Sequence, residues 1–270
     1  MKQVGVFTRR ATTAVLLVLA AANAPALAQQ KPASHLTKIL ETGVLRVGTT
    51  GDFPPISARD AASQGYVGHD IDVAKELAKD LGVKVEFVPA DWKTLLNGVV
   101  SDKYDVVISG VSMSLDRARV AGFTQPYLEF GTVPVLRKKD AERFKSWSDI
   151  DQKGVTVATT LGTVFDSQAK EYFKTATLKR IESPATGFQE VLSGRAEVTI
   201  TSNVDAAALV QRYPDLMIAP VDRARSLRPA SFLLAQDDQI WLNYLNNWIT
   251  VKKMQGYFAA LDEKWLQGKN

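Results

Sequence analysis

An α/β architecture of two lobes, each a mostly parallel sheet flanked by helices and the two joined by a two-stranded hinge, is the fold class this 270-residue chain predicts. Three observations carry the prediction. Short β-branched runs alternate with helical apolar periods from residue 44 onward. The length left after an N-terminal leader, about 240 residues, suits two domain-sized lobes. An extended run, Thr132-Val133-Pro134-Val135-Leu136, lies mid-chain, where a strand crossing between lobes is needed.

Each element follows from local signals. Residues 44–49 form a strand-like β-branched run. Asp70 is placed to cap a helix over 71–81, and Gly82 to end it. Residues 83–89 read as a second strand, 92–101 as a helix and 104–109 as a third strand. A second lobe opens with a strand over 155–160. It continues with a helix over 163–173, a strand over 178–182, a helix over 186–193, a strand over 197–201 and a helix over 204–212. A short strand is expected around Met217, and amphipathic helices over 239–253 and 257–267 are expected to pack back on the first lobe. Crossings near 131–134 and 221–225 divide the chain into lobe one, 29–131 plus 222–270, and lobe two, 132–221. The ligand is then expected between the lobes.

The first 28 residues have the pattern of an export signal: Lys2, Arg9 and Arg10, then an apolar core, then Ala26-Leu27-Ala28 before Gln29. The core is too short for a permanent anchor. With no cysteine, neither a lipid anchor nor a disulfide is available, so a free periplasmic protein is expected. The leader holds three of the 33 basic residues and no acidic one, leaving 30 against 29. A net charge of +1 gives no reason to expect nucleic acid or membrane as a partner, and a monomer is expected.

The stretch from Tyr104 to Tyr127 carries the chemistry. Val106-Val107-Ile108 runs inward and ends at Ser109, Gly110 and Ser112; a polar turn then delivers Arg117. A guanidinium fork meets both oxygens of a carboxylate, while hydroxyls and backbone N–H groups fill the remaining lone pairs. Arg117, Ser109, Gly110 and Ser112 are therefore the first candidates for binding a small carboxylate, Gly110 through its backbone. Gly162, Thr163 and Val164 open a helix directly after a strand, and free N–H groups there can hold an anion. The two histidines, His35 and His69, suggest neither a triad nor a metal site, and no cofactor is expected.

These pieces, in order, resemble the family 3 periplasmic solute-binding proteins, the amino-acid-receptor type serving ABC importers. The strand and loop Val44-Leu-Arg-Val-Gly-Thr-Thr-Gly-Asp-Phe-Pro-Pro, the segment Tyr66-Val-Gly-His-Asp-Ile-Asp-Val-Ala, the Arg117 segment and Gly162-Thr163 carry the likeness. It implies a type II periplasmic binding protein fold and an ABC permease as partner. It also implies a stacking aromatic at Phe53, with Trp92 as a further wall, and hence a pocket for an apolar or aromatic ligand tail. In the family an aspartate ends the strand before the last lobe-two helix and holds the ligand's α-ammonium; here that position is Ser202. Either the ligand lacks an ammonium or Asp205 reaches in, with a solvent-facing Asp205 the expected outcome. The chain is also similar to cyclohexadienyl dehydratases, built on the same scaffold. That resemblance implies a glutamate proton donor where this chain has Phe165, and a lysine where it has proline in Gly51-Asp52-Phe53-Pro54-Pro55. Receptor, prephenate or arogenate dehydratase, and ligand-sensing partner of a membrane receptor stay open at this point, the receptor foremost.

Overall fold

The computed structural model describes residues 34–60 and 62–266 with residues 1, 2 and 5; all but three residues of the leader expected over 1–28 lie outside the described residues. Two sheets organise the chain in the two-lobed α/β arrangement. The first has the spatial order Lys84–Pro89, Val44–Thr49, Val106–Val107, Leu233–Leu234, Gly122–Phe123. Its first three strands are parallel, and the Leu233–Leu234 strand pairs antiparallel on both sides. Leu45, Val47 and Thr49, which share one face of the central strand, are fully buried.

The second sheet runs Thr177–Ile181, Thr156–Thr160, Val198–Ser202, Leu128–Arg137, Leu216–Ile218, and Arg225–Ala230 also pairs with the long Leu128–Arg137 strand. The chain changes sheet between Phe123 and Leu128 and returns between Ala230 and Leu233. A small antiparallel sheet of Asp52–Phe53, Ser57–Arg59 and Tyr66–Val67 follows the first strand and shapes one rim of the cleft.

Separate cores stabilise the lobes, one large cluster in each with a smaller one beside it. Leu45, Val47, Val73 and Leu77 pack with Trp241, Leu245, Trp248 and Phe258 from the C-terminal helices Gln239–Met254 and Tyr257–Trp265. Leu136, Val155, Val157, Val198 and Ile200 gather with Phe144, Trp147 and Phe173 under the second sheet. Each fully buried side chain of this kind contributes about 1.5–3 kcal/mol.

Most boundaries fall within two residues of the sequence expectation, and the exceptions have causes. The first long helix is His69–Leu81, with Gly68 as N-cap, so Asp70 lies inside the first turn instead of capping it. Its carboxylate is taken elsewhere, by Gly110 N–H and the Tyr127 hydroxyl. Gly82 ends that helix with φ 70°, as expected. The helix expected from residue 92 begins only at Leu95, because Asp91 accepts from the N–H groups of Lys93 and Thr94 and forms a turn first.

Candidate ligand-binding cleft

A cleft with about 700 Å³ of empty space, some of it open to solvent, lies between the two lobes. From the first lobe it is lined by Asp52, Phe53, Trp92, Gly110, Ser112 and Arg117. Opposite them stand Thr163, Val164 and Phe165 at one helix start and Thr199, Thr201 and Asp205 around another.

Arg117 belongs to a four-residue helix, Leu115–Ala118, whose N-cap Ser114 accepts the Arg117 N–H. Arg117 as a whole is 9% exposed. It donates to the Ser112 carbonyl at 3.0 Å and, across the cleft, to the Gly162 carbonyl at 2.9 Å. Among the described residues no carboxylate pairs with it. Burial, with Arg228 nearby, pulls its pKa down to about 10, the sign of a cation that nothing in its surroundings compensates.

Asp205 has the reverse condition. It lies in the first turn of Asn203–Arg212, 8% exposed, and faces the cleft. The expectation that it faces solvent is therefore corrected: the helix follows directly from a buried strand, which turns its first turn inward. One oxygen accepts from the Thr201 hydroxyl at 2.6 Å, and no cation pairs with it. Burial, with Asp52 as a like-charged neighbour, pushes its pKa up to about 7. Asp52 enters from the other lobe, accepting from Trp92 Nε1 at 2.9 Å and from the Ser183 hydroxyl at 3.2 Å. An acid thus stands in the loop that the sequence reading assigned to an apolar ligand tail.

Seven of the ten sequence-derived candidates line the cleft: Arg117, Gly110, Ser112, Phe53, Trp92, Thr163 and Val164. Three do not. Ser109 is 1% exposed, its hydroxyl accepting from Thr50 N–H and lying among Thr49, Thr50 and Ser57, so it ties the first strand to its loop. Ser202 is fully buried and caps the Asn203–Arg212 helix by accepting the Asp205 N–H at 3.0 Å. Gly162 has φ +80° and meets the backbone of Lys93, where an added Cβ would lie 2.6 Å from the nitrogen; its part is close approach of the lobes. Two lining residues also act differently from expectation. The Gly110 N–H is committed to Asp70, and the Thr163 N–H to the Thr160 carbonyl. Phe53 meets Trp92 and Phe130 edge to face, at ring separations of 6.1 and 5.6 Å.

Asp166, next to Phe165, is held by Arg180 at 2.6 Å through both oxygens. Burial alone would raise its pKa, but Arg180 and Lys170 outweigh it and keep the carboxylate ionised. Of the histidines, His69 is sealed between Asp70 and Asp262, and His35 lies in a group with Asp102 and Asp105. Those two carboxylates are already paired with Arg46, and Asp102 also with Lys38. No helix among the described residues is long and apolar enough to cross a membrane.

Two lobes flanking a cleft that holds an uncompensated guanidinium have the form of a solute-binding protein. The chain belongs to the bacterial extracellular solute-binding proteins, family 3, whose model matches residues 45–268. It is 33% identical to cyclohexadienyl dehydratase of Pseudomonas aeruginosa, over 88% of each chain. To the L-cystine-binding protein TcyJ of Escherichia coli it is 28% identical, over 85% of each. Among solved structures, the ancestral amino acid-binding protein AncCDT-1, a precursor of cyclohexadienyl dehydratase, matches with a TM-score of 0.81 and 36% identity, over 86% of this chain and all of that one.

Proposed function

We propose that the chain is a periplasmic receptor that captures a small carboxylate-bearing solute, an amino acid or related organic acid, and delivers it to an ABC importer. Arg117 grips the carboxylate, with Ser112 beside it and the helix start at Thr163 and Val164 opposite. Phe53 and Trp92 form the walls. The lobes, 29–131 plus 222–270 and 132–221, close about the strands near 132–136 and 221–225. Removal of residues 1–28 releases a monomer into the periplasm.

The observation that carries this reading is the buried, acid-free Arg117 at the point where the lobes touch. A buried cation is costly until an anion meets it, and a charge-assisted bond of this type contributes about 1.5–3 kcal/mol. Arg117→Ala should weaken carboxylate binding tenfold to a thousandfold in calorimetry while the chain stays folded by circular dichroism. Unchanged affinity would refute the assignment.

The 33% identical relative favours a second reading, prephenate or arogenate dehydration. Loss of hydroxide needs a proton donor, worth about 10²–10⁴ in rate. At the helix start where the related enzymes keep their donor the cleft offers Phe165, and Asp166 is bound ionised by Arg180; the buried Asp205, its pKa raised to about 7, can hold a proton but stands on a different helix, so no donor occupies the expected position. Incubation with prephenate should therefore leave it unconverted; accumulation of phenylpyruvate would reverse the order of the two readings.

A further inference from the structure

We propose that Arg225 and Arg228, on the strand that carries the chain back to the first lobe, form a second anion site outside the cleft, for a small tetrahedral oxyanion such as inorganic phosphate or sulfate. This site is independent of the solute reading.

The return strand and the turn before it hold Arg223, Arg225 and Arg228. None of these three side chains forms an ion pair or a hydrogen bond with a described residue. An irregular ladder turns two of them to the same side. Arg225 stands opposite Thr132 and Arg228 opposite Phe130, so one extra residue is fitted into this strand. Thr132 and Phe130 share a face of their own strand, and the residues opposite them share it too. Regular spacing would send Arg228 to the other face. The bulge is costly: Ser226 takes φ +45°, and Leu227 is left 71% exposed. Pairing of the strands requires neither.

The surroundings hold donors in excess. The Arg225 guanidinium carbon lies 4.5 Å from the centre of the Trp147 ring and 5.0 Å from that of Tyr172. Trp147 is fixed in turn by donating from Nε1 to the Arg223 carbonyl at 3.2 Å. Stacking of this kind leaves the in-plane N–H groups of a guanidinium free. Tyr172, Arg223, Arg225 and Ser226 line an open hollow here; its one carboxylate, the exposed Glu171, pairs with none of the arginines. Arg228 Nε is buried without a partner, and its charge reaches both Tyr172 and Arg117. One turn before Tyr172 on the same helix, Gln168 is 1% exposed. Its Oε1 accepts from Thr132, the residue opposite Arg225, and its Nε2 has no partner. Buried donors without acceptors are rare, and this layer has two beside a stacked cation. The burial of Arg228 Nε excludes a bulky partner. A tetrahedral dianion is small and offers acceptors in several directions, whereas a planar carboxylate serves a single fork.

Calorimetric titration of the purified chain with inorganic phosphate at neutral pH tests the site, with sulfate, acetate and chloride at matched ionic strength. Phosphate and sulfate should bind about tenfold or more tightly than acetate or chloride, and should raise the melting temperature. Arg225→Gln and Arg228→Gln should each weaken phosphate about tenfold or more. In phosphate-free buffer both variants should melt no lower than wild type, because each removes a cation that the fold leaves uncompensated. Arg117→Ala tells this site from the cleft, and should leave phosphate affinity within about threefold. Phosphate binding that is lost in Arg117→Ala and kept in both glutamine variants places the anion in the cleft and overturns the proposal. Acetate or chloride binding as tightly as phosphate overturns it as well, and so does a wild type that binds no phosphate. Two glutamine variants that melt lower yet keep their phosphate affinity would make the arginines part of the scaffold alone.

Discussion

Asp70 and Asp205 both stand in the first turn of a helix, and both are more than nine-tenths buried. Their surroundings differ entirely. Asp70 accepts from Gly110 N–H and the Tyr127 hydroxyl and lies 2.9 Å from His69 Nδ1, while His69 Nε2 faces Asp262. Tyr127 and Phe258 stack on the same histidine. Every charge there has a partner supplied by the chain. Asp205 has one hydroxyl and a like-charged neighbour. The comparison separates buried charge that the protein satisfies with its own partners from a buried acid that it leaves without a cation.

The largest effect expected from this contrast falls on the satisfied acid. Asp70→Ala would strand the His69 charge, the Tyr127 hydroxyl and the Gly110 N–H in the core. Breaking a buried pair in this way typically costs about 3–5 kcal/mol. Urea unfolding should show a loss of that size, with an unchanged denaturant slope. A loss below about 1 kcal/mol would mean that the network is not what holds Gly110 and the cleft wall in place.

Removing the unsatisfied acid should do the opposite. Because burial raises the Asp205 pKa from 3.8 to about 7, the native state holds a proton that the unfolded chain releases between those values. Stability contributed by this group therefore falls as pH rises from about 4 to 7, by on the order of 4 kcal/mol at most. Ligand-free Asp205→Asn should melt higher than wild type at pH 8 and equal to it near pH 4. His69 acts in a different window. Burial disfavours its charge, but Asp262 and Asp70 outweigh this and push its pKa from 6.5 up to about 9. Its stabilisation, about 3 kcal/mol, is complete below pH 6.5 and lost as pH rises through 9. Melting curves from pH 4 to 10 should then fall in two steps, of which Asp205→Asn removes only the lower.

Much of this was legible in the residues. The alternation of β-branched runs and helical periods points to the α/β order, and the Arg117 segment stands out as a polar wall that does line the cleft, because strand period and side-chain chemistry are local properties. What was not legible depended on tertiary direction. Asp205 looks like an ordinary solvated acid at a helix start, and only the inward turn after Val198–Ser202 aims it at the cleft. Asp52 precedes an aromatic that drew attention to itself, yet it is the indole of Trp92, forty positions on, that orients its carboxylate. Ser109 had the right chemistry at the right strand end, but its hydroxyl is spent on neighbours that no spacing rule reveals. An available signal was the pairing of Ser202 with Asp205, a Ser-x-x-Asp helix start, which marks the serine as a cap and the acid as the third helical residue.

That helix start yields the smallest effect and the sharpest division of roles. If Ser202 serves as a cap, Ser202→Ala removes the acceptor for the Asp205 N–H and should cost about 0.5–2 kcal/mol of stability. The hydroxyl does not line the cleft, so affinity for the favoured solute should change by less than about threefold, since only the firmness of Asp205 is altered. Thermal melting and calorimetry on the same variant read the two quantities independently. A variant that melted like wild type but bound tenfold more weakly would place the serine hydroxyl on the solute. It would also dissolve the distinction drawn between Asp205, which lines the cleft, and the residue that caps its helix.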